Sequence, residues 1–259
     1  MWSEGEGVSN CDHGEVEAFM AYVEPLHQAN RWLLAGVSVF LWGSSLLSAH
    51  AETYITGQVG YTVAPETTRG QANDPTFAGL PNGTSISNVT LNNSLMYGMK
   101  LGHYFASTPW LGIELESFMT TPHRPQQRLT LGAPGLGTIQ QDEGGATNRL
   151  VVVSPNLVAR YQGGALEPYV GVGPGIFFLH QQQLTSAAGG RSYSQSNTGV
   201  GLNTQVGLRY RLTEHLALFG EWKFNYAHIN LSGQADVGHF GISASTTLHH
   251  FVFGVGYHF

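Results

Sequence analysis

From residue 52 to the C-terminus, apolar side chains alternate with small or polar ones. They do so in eight separate runs, at 52–63, 93–106, 110–119, 148–161, 167–179, 199–211, 216–229 and 246–259. A period of two is the signature of a β-strand with two different faces. The connections alternate as well. Short ones (107–109, 162–166, 212–215) take turns with long ones (64–92, 120–147, 180–198, 230–245) that are rich in Gly, Ser, Thr, Asn, Gln and Pro. Short and long links in strict succession put every tight turn at one end of an antiparallel sheet and every long loop at the other.

One face of the predicted sheet carries Leu95, Tyr97, Met99, Val151, Val153, Val170, Val172, Ile176, Phe178, Leu208, Tyr210, Trp222, Phe251, Phe253, Val255 and Tyr257. The other carries Gln58, Gly98, Lys100, Gly102, Glu114, Glu116, Arg160, Gly171, Gly173, Gln205, Arg209, Glu221, Lys223, Gly254 and Gly256. A soluble barrel or sandwich has the same period with its apolar face inside. Three features favour the apolar face outside. The charged face is heavy in glycine, which weakens a solvent-exposed strand but suits a narrow lumen crowded with large polar neighbours. Aromatic residues gather near strand ends, at Tyr161, Tyr210, Tyr226, Tyr257 and Phe259. Each run is long enough to cross the hydrocarbon core of a bilayer, which takes about 9–11 tilted residues. Closure of an even number of strands then satisfies every backbone group inside the bilayer.

The stretch before these runs supports export. Residues 31–51, "RWLLAGVSVFLWGSSLLSAHA", combine Arg31, an apolar region at 32–47, and small residues at Ala49 and Ala51. That is the layout of a signal peptide with an A-x-A site, so cleavage is expected after Ala51. The segment before it is long for a leader, and Met20 is a second candidate start. The chain thus divides into a leader, 1–51, and a barrel, 52–259. Six of the 17 acids and one of the 11 Lys and Arg residues precede residue 52, so the formal charge of −6 belongs almost entirely to the leader. The barrel is near neutral, without the basic stripe of a nucleic-acid binder. The single cysteine, Cys11, allows neither an internal disulfide nor a cysteine metal cluster.

The stretches "EPYVGVGPGIFF" (167–178), "VGLRYRLTEHLALFGEWKFNY" (206–226) and "FVFGVGYHF" (251–259) resemble the eight-stranded outer-membrane β-barrel family that includes the transmembrane domain of outer membrane protein A and the neisserial opacity proteins. The resemblance covers about 52–259. It implies an all-β, antiparallel, up-and-down transmembrane barrel with short periplasmic turns and long extracellular loops. It also implies residence in the bacterial outer membrane as a monomer, in contact with outer-membrane lipid and lipopolysaccharide. In such proteins the terminal aromatic belongs to the signal read by the barrel-assembly machinery, a role that would fall to Phe259 with Tyr257. Longer members carry a peptidoglycan-binding domain after the barrel; none follows Phe259 here, so a cell-wall tether is not expected.

The chemistry expected of the interior is structural. Lys100, Glu114, Glu116, Arg160, Arg209, Glu221 and Lys223 share the inward face and should pair, because an unpaired buried ion is costly. The 93–119 hairpin sets Lys100 opposite or diagonal to Glu114 and Glu116, and the 199–229 hairpin sets Arg209 near Glu221. A lumen this crowded implies a structural or surface-interaction protein, with a narrow passive channel for small solutes as the alternative. An outer-membrane lipid A hydrolase is a weaker alternative, since no histidine is followed two residues later by serine, and a soluble lipocalin-like binder is a fourth. The twelve histidines show no metal-ligand spacing. His249 and His250 point to opposite faces of one strand, while His180, His228 and His239 fall at the loop-side rim. No catalytic residue and no cofactor are expected, and the loops carry no motif that names a partner.

Overall fold

A computed structural model describes residues 52–64, 68–72, 81–183, 194–235 and 238–259. The predicted signal region at 32–47, its cleavage site at Ala49 and Ala51, and Cys11 lie outside the described residues. Twelve strands follow in chain order: β1 (Glu52–Val63), β2 (Thr68–Ala72), β3 (Ser85–Val89), β4 (Ser94–Phe105), β5 (Thr108–Thr120), β6 (Gln127–Ala133), β7 (Gly137–Glu143), β8 (Ala146–Arg160), β9 (Leu166–Gln183), β10 (Ser194–Arg211), β11 (Leu216–Ala235) and β12 (Gly238–His258). Eight of them, β1, β4, β5, β8, β9, β10, β11 and β12, correspond to the eight predicted runs. They pair antiparallel in that order, and β12 returns to β1. The closing ladder runs from Tyr54 opposite His258 to Val63 opposite His249. Closure leaves the ring without a free edge, which a bilayer demands.

The apolar face points outward. Val59, Leu95, Val170, Val200, Phe251 and Phe253 stand exposed on the outer surface, whereas Lys100, Glu116, Asn203 and Lys223 are buried inside the ring. The short connections lie together at the end where β1 begins and β12 finishes. There the backbone N–H of Phe259 donates to the carbonyl of Thr53 (2.9 Å), and Tyr257 and Phe259 meet edge to face at 5.1 Å.

Two features differ from the sequence expectation. First, the strands run further at the loop end: β9 reaches Gln183 and β11 reaches Ala235. Second, the two long connections 64–92 and 120–147 contain strands of their own. The cause is the unequal length of the closing pair. β12 has 21 residues and β1 has 12, so the loop-side part of β12 outruns its partner. β2 takes over that edge, pairing Ala72 with Ile242 and Arg69 with Ser245. β3 pairs with β2, β6 with β3, and β7 with β6, which extends the barrel wall into a small sheet at the loop end. The β6–β7 turn, Pro134-Gly135-Leu136-Gly137, places Gly135 and Gly137 at φ 79° and 80°, a left-handed region that glycine enters without strain.

The glycines of the inward face have a more specific use than space for polar groups. Aromatic rings lie over them: Tyr54 over Gly102, Tyr169 over Gly207, Phe219 over Gly254. A methyl built on Gly112 would sit 2.7 Å from Cδ1 of Tyr104. The interior therefore holds buried aromatics, Tyr54, Tyr104, Phe118, Tyr169, Phe177 and Phe219, interleaved with the charges.

Candidate functional site in the barrel interior

The inward side chains form three layers. Nearest the short turns, Glu52 opens β1 and accepts from Arg160 (2.6 Å) and Arg211 (2.7 Å), with His258 Nδ1 2.5 Å from it. Glu167 accepts from Arg211 at 2.7 Å and lies 3.6 Å from both Arg160 and Arg209. The Arg160 guanidinium stacks 3.6 Å above the Tyr104 ring, and Arg209 lies 4.8 Å from that of Tyr54. Guanidinium groups suit this position because they both fork onto carboxylates and lie flat on rings.

The middle layer holds two lysines and three glutamates. Lys100 Nζ is 2.6 Å from Glu221 and 3.4 Å from Glu114. Lys223 pairs with Glu116, and it lies 2.5 Å from Glu221. Neutral donors complete the carboxylates: Tyr54 and Gln205 donate to Glu114, Gln58 and Asn203 to Glu116, and Tyr169 to Glu221, at 2.7–3.0 Å. The excess carboxylate here is balanced by the excess arginine below, where Arg160, Arg209 and Arg211 face Glu52 and Glu167. The two layers are thus nearly neutral as a whole, as a low-dielectric interior requires.

The third layer begins with a hydrogen-bonded chain. Thr120 meets Thr62, Thr62 meets His250 Nδ1 (2.9 Å), and His250 Nε2 meets Asn225 Oδ1 (2.8 Å). Asn225 in turn donates to Asn203 (2.7 Å), joining this chain to the ion layer. Above it buried apolar side chains, Met96, Leu150, Val152, Phe177, Ile229 and Leu248, mix with the buried amides Asn148, Gln181, Gln195 and Asn197.

All seven charged residues singled out from the sequence lie in this network. Their partners differ in part from the expectation. The register sets Lys100 directly opposite Glu116, yet the lysine reaches Glu114 and, across the lumen, Glu221. Arg209 turns to Glu167 on β9, because both lysines already occupy Glu221. Sequence reasoning missed Glu52 and Glu167, although each has the inward parity of its strand; Arg211, which shares the inward face of β10 with Arg209, pairs with both. His250 and His258 have the inward parity of β12, and both are buried members of the lumen. His180 and His228 stand on the outward face beside Ser196 and Ser245. The side chain of His239 lies outside the described residues.

An apolar exterior around a closed ring of eight strands, with ions sealed inside, defines a small transmembrane β-barrel. The outer membrane protein beta-barrel domain matches residues 37–259, and the chain belongs to that family. Its residence is therefore the bacterial outer membrane. Among solved structures, the outer membrane protein OprG from Pseudomonas aeruginosa aligns with a TM-score of 0.52 at 20% identity, covering 82% of this chain and 98% of that one. Neisserial surface protein A aligns at 0.44 and 10% identity (81% and 97% covered), and the outer membrane protease OmpT from Escherichia coli at 0.42 and 9% (81% and 96%). At such identities the likeness concerns the fold and not an activity. No curated protein matches the chain.

Proposed function

We propose that this protein is a non-enzymatic, non-conducting barrel whose lumen is a structural ion network and whose loop-end sheet forms the interaction surface. The carrying observation is the contact between Lys223 on β11 and Glu116 on β5. These strands stand four places apart in a ring of eight, so the pair spans the lumen from wall to opposite wall. Lys100 on β4 makes a second crossing to Glu221 on β11. Side chains that bridge the lumen and are themselves buried leave little room for a hydrated ion.

In this reading residues 1–51 are a leader removed after Ala51, the mature protein is a monomer, and its C-terminal strand with Tyr257 and Phe259 is the segment read by the assembly machinery. The outward apolar band is solvated by outer-membrane lipid. Purified protein from outer membranes, with a mass showing that it starts at Glu52, should give no discrete current steps in planar bilayers. Reproducible single-channel steps would support the passive-channel reading and contradict this one.

A further inference from the structure

The third layer holds a buried titratable side chain that the ion pairs do not use. His250 stands at the inner end of a row of hydroxyls, and the direction of its hydrogen bonds is set from the opposite side. The Glu116 carboxylate, paired with Lys223, can only accept. Asn203 therefore turns its amide nitrogen to it at 3.0 Å, and to Asn156 Oδ1 at 3.0 Å. The Asn203 oxygen is left to accept from Asn225 Nδ2 at 2.7 Å. That leaves Asn225 Oδ1 facing His250 Nε2 at 2.8 Å. An amide oxygen only accepts, so the imidazole proton sits on Nε2. Nδ1 is then a lone pair, and Thr62 donates to it at 2.9 Å. Thr62 accepts from Thr120, and Thr120 from Ser94, each at 2.7 Å. His250, Thr62 and Thr120 are fully buried, whereas Ser94, at the loop-side start of β4, is only half-buried.

The two halves of this chain differ in what they can pass on. A hydroxyl takes a proton on its oxygen and releases its own. On the loop side, a proton taken by Ser94 moves the Ser94 proton to Thr120, that of Thr120 to Thr62, and that of Thr62 to Nδ1. Each hydroxyl ends pointing the other way, no heavy atom has to move, and the net result is one added proton on His250. On the inner side Nε2 already carries a proton, and the amides of Asn225 and Asn203 hand none on to Glu116. Each strand packed around the ring contributes a known group. β11 sets Lys223 opposite His250, and β5 brings Glu116 through the two amides and Phe118 edge-on at 5.2 Å. β1 supplies Thr62, and His249 on β12 turns outward to Trp222 and Phe224.

We propose that His250 is a proton-binding site fed from the loop side: acid at the outer surface reaches Nδ1 through Ser94, Thr120 and Thr62, and Asn225 stops the proton short of the ion layer. The inference rests on the sealed lumen, because water admitted along the lumen would reach the ring without the relay. Nuclear magnetic resonance of the full mature barrel in lipid nanodiscs, with nitrogen-15-labelled histidine, tests it, and His250→Gln identifies the His250 signals. Near neutral pH the wild-type ring should carry its proton on Nε2 alone. Acid should add a second proton on Nδ1 while heat-modifiable gel mobility shows the barrel still folded. Saturation transfer from water to that Nδ1 proton should fall about tenfold in Thr62→Val and in Thr120→Val, the rate equivalent of one hydrogen bond removed from the relay. Thr62→Ser should restore it. A neutral ring protonated on Nδ1, a ring that gains no second proton before the barrel unfolds, or transfer unchanged in the folded valine variants would each overturn the proposal. Discrete current steps from the wild type would instead contradict the sealed lumen itself.

Discussion

Replacing Lys223 with Met is expected to destabilise the folded barrel by about 3–5 kcal/mol, the usual cost of removing one partner from a buried ion pair. Lys223 and Glu116 are both fully buried, and Lys223 also serves Glu221. Without the ammonium, three glutamates share the single charge of Lys100. The double variant Lys223→Met with Glu116→Gln should recover most of the loss. It leaves Glu114 and Glu221 beside Lys100 and keeps one acceptor oxygen for one of the two amides, Gln58 or Asn203, that donate to the carboxylate. Urea unfolding midpoints in lipid vesicles, read by heat-modifiable mobility, measure both. A double variant no better than the single one would show that the pair is not the unit that matters.

The second large effect comes from glycine. Gly102→Ala should cost about 2–3 kcal/mol by overpacking. The new methyl would meet the ring of Tyr54. That ring is pinned, its hydroxyl donating to Glu114 at 2.7 Å and Arg209 lying 4.8 Å from its face. Gly57→Ala is the internal control. It lies on the outward face of the neighbouring strand β1, nothing stands within 4 Å of its added methyl, and its effect should stay within about 0.5 kcal/mol. The difference between the two glycines, read from the same unfolding curves, separates steric need from strand propensity. Equal costs would mean that ring packing over the inner glycines is not a determinant of the fold.

The eight ring strands were legible because the period of two persists through each run and breaks at composition shifts such as QGGAL and LTEH. The loop-end strands β2, β3, β6 and β7 were not. They are 5–7 residues long and mostly polar, and they exist because β12 outruns β1 and offers an edge. That is a property of the assembled ring and of no local segment. The inward aromatics sat in plain view at inward parity, but glycine-rich stretches such as GVGPG draw attention to space and not to what fills it. Register arguments reach only neighbouring strands. They set Lys100 against Glu116 and Glu114, yet the contacts that close the lumen, Lys223 to Glu116 and Lys100 to Glu221, depend on barrel curvature, which brings distant strands face to face.

The central claim is the orientation of the two faces. The chain from 52 to 259 has no cysteine, so single spin labels can be placed along β10 without background. Labels at 200, 202, 206 and 208 should be highly accessible to oxygen dissolved in the bilayer, and labels at 203 and 205 should be accessible to neither oxygen nor an aqueous nickel complex. That two-residue oscillation is the result predicted for an apolar exterior around a sealed polar core. The opposite phase, with the apolar positions shielded and the polar ones open to the nickel complex, would contradict it.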